Sequence, residues 1–201
     1  MIYRVKQFLW AITSTFKKID NKVLEKYLDD KEMNLFKHLK KSEQHHSIRV
    51  CKDSLKLCEE NNLDKNKMAR IALLHDIGKI EEYTEDCKIS DVGKYRDHIT
   101  IGQDIILNTW RTSNSQVDEN TINRLLHIIL AHHGKLEWGS PKIPATKEAF
   151  IVHQADYIDT NMYIYHNTYK EINFGDTAYN KLVGTYIVNE NITTSQNYDT
   201  M

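Results

Sequence analysis

Residues 65–79, KNKMARIALLHDIGK, grow steadily more apolar towards Leu74, then set His75 and Asp76 side by side ahead of Gly78 and Lys79. The pattern predicts a helix capped by Asp64 and stopped at Gly78. An ionisable pair at the apolar end of a buried helix is unfavourable unless something compensates its charge. A metal ion meets that requirement, and the surrounding sequence supplies further ligands for one.

Upstream, Ser42, Glu43 and Gln44 open a long segment whose apolar positions Ile48, Val50, Cys51, Leu55 and Cys58 suit a buried helix ending near Asn61 and Asn62. His46 falls in its first turns. Leu24, Leu28, Leu35, Phe36 and Leu39 recur at helical intervals and predict two short helices, with Asp20 and Asp29 or Asp30 as N-caps. Ile2, Val5, Leu9 and Ile12 predict an amphipathic helix docked on the domain.

Downstream, residues 81–97 are polar, contain Gly93 and show no sustained period, so they read as a loop over the site. His98 starts another helix, through about Arg111. Asp118 caps a further one, whose run from Leu125 to Ala131 is apolar almost all round and ends at His132-His133 before Gly134. After KLEWGSPKIP, residues 146–165 resume a helix with Ala149, Phe150, Val152, Ala155 and Ile158 facing inward, and Asp156 lies within it. The stretch TAYNKLVGTYIV, residues 177–188, suits a small hairpin or a last helix, and the polar tail from Asn189 suits disorder.

These elements define an all-α fold. Residues 1–40 read as N-terminal helices packing on the core, 41–175 as a catalytic helical bundle, and 176–201 as a C-terminal extension, partly disordered. Composition agrees: among 201 residues there are 7 Gly and only 2 Pro, which disfavours a turn-rich all-β fold. The net charge of −1 gives no global attraction to nucleic acid. Residues 1–60 carry thirteen Lys and Arg against nine Asp and Glu, but the positives are spaced along helical faces and read as solvated surface. Cys51, Cys58 and Cys87 form no CxxC pair, so neither a disulfide framework nor a thiolate zinc site is indicated, and a reducing, cytoplasmic setting fits. No apolar run reaches membrane-spanning length, and no segment specifies an oligomeric state.

His46, His75, Asp76 and Asp156 together offer two neutral and two anionic ligands for one divalent ion. His98, His132 and His133 add neutral ligands for a second, with Asp76 placed to bridge. Mixed imidazole and carboxylate donors suit Mn, Fe, Co, Ni or Zn better than Mg or Ca. One or two such ions with few carboxylates leave excess positive charge, which favours a hydroxide nucleophile and a phosphate oxygen in the same place; phosphoester hydrolysis follows. Asp76 and Lys79 are the candidate catalytic residues, Lys79 acting as a point charge on phosphate or on the leaving group. Isolated histidines on helices are more often satisfied core residues, the reading adopted for His38, His127, His153 and His166.

HSIRV followed by LLHDIGK resembles the opening motifs of the HD superfamily of metal-dependent phosphohydrolases. The stretch from His127 to Met162, with HHG, a glutamate, GSP, EA and a D-x-x-D pair, is similar to the YhaM-type 3′-to-5′ exoribonucleases within that superfamily. The resemblance covers residues 42–165 and implies an HD-domain bundle in which the seven residues above bind divalent metal, manganese or a relative, with Asp159 in support. Those exoribonucleases carry an N-terminal OB-fold domain, whereas residues 1–40 here read as helices with no run of strands. The expected substrate is therefore a nucleotide, a short RNA or DNA, or another small phosphoester.

The loop from Lys135 to Lys142 bears on that choice: Trp138 can stack on a base while Lys135 and Lys142 meet phosphates, or the tryptophan can simply pack on the domain. Arg96 is a further phosphate-contact candidate. Two other readings remain open at this stage, a hydrolase of a signalling nucleotide and a non-catalytic, metal-stabilised HD binding module. The absence of a GYP triplet after His132-His133 argues against the cyclic-dinucleotide branch. Intact ligands argue against the module, since a structural site closes its coordination shell with fewer.

Overall fold

The computed structural model describes residues 18–113 and 116–190. It is helical almost throughout: α1 (Asn21–Tyr27), α2 (Asp30–Lys37), α3 (Lys41–Glu60), α4 (Lys65–Leu74), α5 (Lys79–Glu82), α6 (His98–Thr112), α7 (Glu119–Ala131) and α8 (Lys147–Glu171), followed by strands β1 (Thr177–Asn180) and β2 (Thr185–Val188). The expected docking helix at Ile2, Val5, Leu9 and Ile12, and the tail beyond residue 190, lie outside the described residues. The chain divides into two compact units, residues 1–156 and 157–201, with the boundary inside α8.

In the first unit α3 and α4 form the most extensive helix pair. Their closeness has a sequence cause. Ser47, Cys51, Ser54 and Cys58 recur at spacings of four, three and four along α3, and all are fully buried, as are Ala69 and Ala72 of α4. Small side chains on one stripe let the backbones approach, and larger ones fill the flanks: Met68, Leu73, Val50 and Phe36 are each at most 1% exposed. α2 is held onto α4 by Arg70, whose Nε and Nη2 donate to Glu32 Oε1 at 2.9 and 2.6 Å.

The caps follow the sequence in part. Asp29 and Glu32 form a reciprocal capping box on α2, and Asp64, Asp97 and Asp118 cap α4, α6 and α7 through their side chains. Asp20 does not cap α1 with its side chain; it pairs with Lys52 Nζ at 2.7 Å instead. In α8, Ala149, Val152 and Ala155 are buried as expected, but Phe150 is 56% and Ile158 49% exposed. A stripe at i, i+3, i+6 leaves both to one side, so their hydrophobicity does not mark the inward face.

Gly78 also departs from its expected role. Helix α4 ends at Leu74, and Gly78 has an ordinary right-handed φ of −62°. Its value is proximity: a Cβ there would sit 1.9 Å from the His98 carbonyl oxygen and 2.6 Å from the Gly102 nitrogen. The turn after α4 thereby lies directly against the start of α6. Residues 83–97 form a looped excursion pinned by a bridge between Tyr83 and Ile89, and Ser90 N and Oγ donate to the carbonyls of Glu82 and Glu81.

In the second unit the TAYNKLVGTYIV stretch forms a hairpin, antiparallel with Thr177 opposite Val188 and Asn180 opposite Thr185. Tyr179 and Tyr186 face each other edge-on at 5.2 Å across it. Among the described residues no helix is long and apolar enough to cross a membrane. Gly78→Ala is expected to destabilise the chain by about 2 kcal/mol or more, because the obstructing atoms are backbone and cannot rotate away. A thermal melt of the variant within 1 °C of wild type would contradict this close crossing.

Candidate metal centre

Two helices end in the same way. α4 stops at Leu74 and His75 is its C-cap; α7 stops at Ala131 and His132 is its C-cap. The last carbonyls of a helix lack intrahelical partners, and each histidine turns its Nδ1–H back onto the carbonyl three residues earlier: His75 onto Ala72 at 2.8 Å and His132 onto Ile129 at 2.6 Å. A carbonyl can only accept, so the proton is fixed on Nδ1 and Nε2 carries a lone pair. His133 does the same with the Trp138 carbonyl at 3.0 Å, and His98 donates Nδ1–H to Glu82 Oε2 at 2.9 Å.

Four Nε2 atoms, those of His75, His46, His132 and His98, converge on Asp76, which is 2% exposed. His75 and His46 Nε2 lie 3.4 and 3.6 Å from its Oδ2; His132 and His98 Nε2 lie 3.4 and 3.5 Å from its Oδ1. His46 Nε2 also meets Asp156 Oδ1 at 3.1 Å, and the Nε2 atoms of His98 and His133 face each other at 3.2 Å. The seven residues read from the sequence are thus brought to one place by α3, α4, α6, α7, α8 and the turns that follow α4 and α7. They fall into subsets whose ligand atoms lie within 4.8 Å of one another: His46, His75 and Asp76; His75, His132 and Asp156; and His98, His132 and His133.

The electrostatics favour a cation among them. The buried His75 and His132 Nε2 atoms have no hydrogen-bond partner. Burial pushes both imidazoles below their ordinary range, and burial together with His132 and His98 takes His133 to about 4. Near neutral pH the lone pairs of these rings therefore face carboxylate oxygens and one another, which is repulsive without an ion between them. A first-row ion about 2.1 Å from each ligand would place neighbouring ligand atoms roughly 3.0–3.4 Å apart, close to the separations found. Burial would raise the Asp76 carboxyl, but the Lys79 ammonium beside it more than offsets that and holds it well below the carboxylate range. Asp156 is likewise lowered against its burial, chiefly by His46. The donor set fits a divalent transition metal.

Lys79 Nζ is 2.6 Å from Asp76 Oδ2 and 2.8 Å from Glu43 Oε2. Burial pulls its pKa down, yet the two carboxylates hold it well above the ordinary lysine value. Arg96, a candidate phosphate contact, donates through Nη2 to the Thr100 carbonyl and Asp104 Oδ2, so its guanidinium ties the N-terminal half of α6. Trp138 is 41% exposed in a short 3-10 turn, with Lys135 Nζ 4.3 Å from its ring centroid. Lys142 is exposed and its backbone nitrogen donates to the Leu130 carbonyl.

Of the histidines assigned to the core, His127 accepts from Ala145 N and His153 is buried, donating to the His132 carbonyl. His38 and His166 are exposed, which corrects that assignment for both: their apolar sequence neighbours lie on other faces of their helices. Glu43 and Glu82 were not read as site residues. Glu82 has a signal in retrospect, a carboxylate six residues after Asp76 in a segment otherwise read as loop.

The metal-free chain should lose stability as pH falls from about 6.5 towards 4. In that window the unfolded imidazoles bind protons that buried His75, His132 and His133 resist, and lowered Asp76 and Asp156 act in the same direction below about 4. Manganese at 100 times its Kd should add about 2.7 kcal/mol at neutral pH, and this increment should vanish under acid. Melting curves with and without metal from pH 7.5 to 4 check both; a metal increment independent of pH would overturn this account of the cluster.

Comparison with known proteins agrees with the geometry. The HD domain profile matches residues 44–161. The 3'-5' exoribonuclease YhaM of Bacillus subtilis (strain 168) is 36% identical over 104 residues, which are 50% of this chain and 32% of that protein. Its counterpart from Shouchella clausii (strain KSM-K16) is 37% identical over 102 residues, 50% of this chain and 31% of that protein. The chain spans about a third of the length of these curated relatives. No solved structure matches. With a profile covering more than half of its length and the histidine–aspartate cluster inside that match, the chain belongs to the HD domain family.

Proposed function

We propose that this chain is a metal-dependent phosphohydrolase that cleaves phosphodiester bonds of short single-stranded RNA, in the manner named for its relatives. Membership of the HD family and the exoribonuclease relatives support the hydrolase class. The observation that carries the reading is the convergence of His75 and His132, with unpartnered buried Nε2 atoms, on the Asp76 carboxylate. His46, His75, Asp76 and Asp156 would hold one divalent ion, and His98, His132 and His133 a second with Asp76 between. Ions held there supply Lewis-acid activation of water and of the phosphoryl oxygens.

The protein's own groups have separable tasks. Burial of His46, His75, Asp76 and His132 strengthens the charge interactions made at the cluster. Lys79, locked between Asp76 and Glu43, stays charged and keeps Asp76 ionised. The exposed face of Trp138 offers a stacking surface for a base, with Lys135 and Lys142 placed on the same loop for flanking phosphates. With its guanidinium committed to Thr100 and Asp104, Arg96 contributes by firming α6.

Incubating the manganese-loaded chain with 5′-labelled RNA of about ten nucleotides tests the reading. A ladder shortening from the 3′ end is expected, together with slower cleavage of a small activated phosphodiester. Asp76→Asn should reduce both rates at least about 100-fold. Trp138→Ala should raise KM for RNA about 5- to 100-fold, the loss of one stacking contact, and leave the small diester unaffected. Failure of the wild-type chain to cleave any of RNA, DNA, nucleotides and model esters would remove the enzymatic reading.

A further inference from the structure

The two halves of the cluster are unequally supplied with charge. On the binuclear reading above, His46 and His75 share two carboxylates, Asp76 and Asp156, whereas His98, His132 and His133 are all neutral and have only Asp76, which the first half also uses. A divalent ion in the second half would be the less well compensated. The Nδ1 contacts differ in a related way: His75, His132 and His133 donate to backbone carbonyls, while His98 donates to the carboxylate of Glu82 at 2.9 Å. Glu82 is itself only 9% exposed.

Local structure makes this contact rigid. Glu82 ends the single-turn helix α5, and His98 opens α6. The two helices pack together where Gly78 meets the His98 carbonyl. The Glu82 carbonyl accepts from Ser90 N, and Gly93 lies against that same carbonyl so closely that a Cβ would come within 2.3 Å of its oxygen. The loop after α5 therefore folds back to hold Glu82 in place, although neither the loop nor Glu82 provides a ligand atom to the cluster.

We propose that Glu82 is a positioning residue for the second metal. It fixes the Nδ1–H tautomer of His98, aims Nε2 at His133 and Asp76, and places behind a neutral ligand the negative charge that this half of the site lacks. Carboxylate partners of ligating histidines orient the ring and raise its basicity, and their loss typically lowers metal affinity about 10- to 100-fold. The effect falls on the second ion, because the Glu82 carboxylate holds Nδ1 of His98, the ring grouped with His132 and His133.

Titration of the metal-stripped full chain with Mn2+ or Co2+, followed calorimetrically and by the visible bands of cobalt, tests this. Wild type should bind two equivalents in resolvable steps. Glu82→Ala should weaken the second step about 10- to 100-fold and leave the first unchanged. Glu82→Gln, which keeps an acceptor for His98 but drops the charge, should fall between them and guards against misfolding of the alanine variant. Changes in both steps, or in neither, for the glutamine variant would overturn the positioning role. A wild-type chain that binds one equivalent overturns it as well while leaving a mononuclear hydrolase standing; one that binds none removes the metal-centre reading itself.

Discussion

A carboxylate sealed from water is the constraint around which the first unit is arranged. Asp76 is 2% exposed, and an ion so buried is tolerated only when opposite charge and hydrogen-bond donors surround it. Lys79 meets one of its oxygens at 2.6 Å, and four imidazole nitrogens stand 3.4–3.6 Å away. With Nδ1 of His75, His132 and His98 committed as donors elsewhere, those rings present lone pairs to the carboxylate. The arrangement is incomplete as a salt-bridge network and suited to ligation, which is why the cluster reads as a metal centre and not as a core polar network.

The backbone prepares this centre with one device used twice. α4 and α7 are apolar helices that end against the site, each with a histidine at its C-cap bonded to the carbonyl three residues back. The helix end satisfies part of its own unpaired carbonyl set and fixes the ligand tautomer in the same contact. The C-terminal ends of helices also carry partial negative charge, which adds to the attraction for a cation. Glycine then sets the distances. Gly78 admits the His98 carbonyl, and Gly134, at φ +81°, leaves room for the His153 ring, whose Nδ1–H holds the His132 carbonyl. Both glycines are therefore packing requirements of the ligand set.

This explains which features were legible in the sequence. The order of His46, His75-Asp76, His98, His132-His133 and Asp156, each on or beside an apolar helix, was sufficient to identify the cluster because ligand type and helical period are both sequence properties. Helix positions and the all-α class followed from the same period. The orientation of Phe150 and Ile158 did not, since on a long helix the buried stripe is set by what it packs against and small residues occupied it. For Arg96 the sequence offered only its place just before His98, while its Nη2 contact with Asp104, eight residues on in α6, depends on the fold. Glu82 escaped notice because its role depends on a loop folding back on a single-turn helix, a contact with no periodic signature.

The loop after the His132-His133 doublet joins two matters that the sequence presented separately. His133 is held by the Trp138 carbonyl, and the Trp138 ring, 41% exposed, is the stacking surface proposed on that loop. The residue proposed to meet a base thus also fixes, through its backbone, the tautomer of a proposed ligand. Its side chain can be removed without touching that carbonyl, but any displacement of the turn would release His133 Nδ1 and weaken its aim at His98. Gly139, at φ +83°, closes the turn, and Ser140 Oγ anchors it by lying 2.9 and 2.8 Å from the carbonyls of Leu130 and Lys142, between which its one proton is shared. The proposed base contact and the carbonyl that holds His133 thus share one short, internally braced segment, so a change in the loop that alters substrate preference would be expected to alter metal occupancy as well.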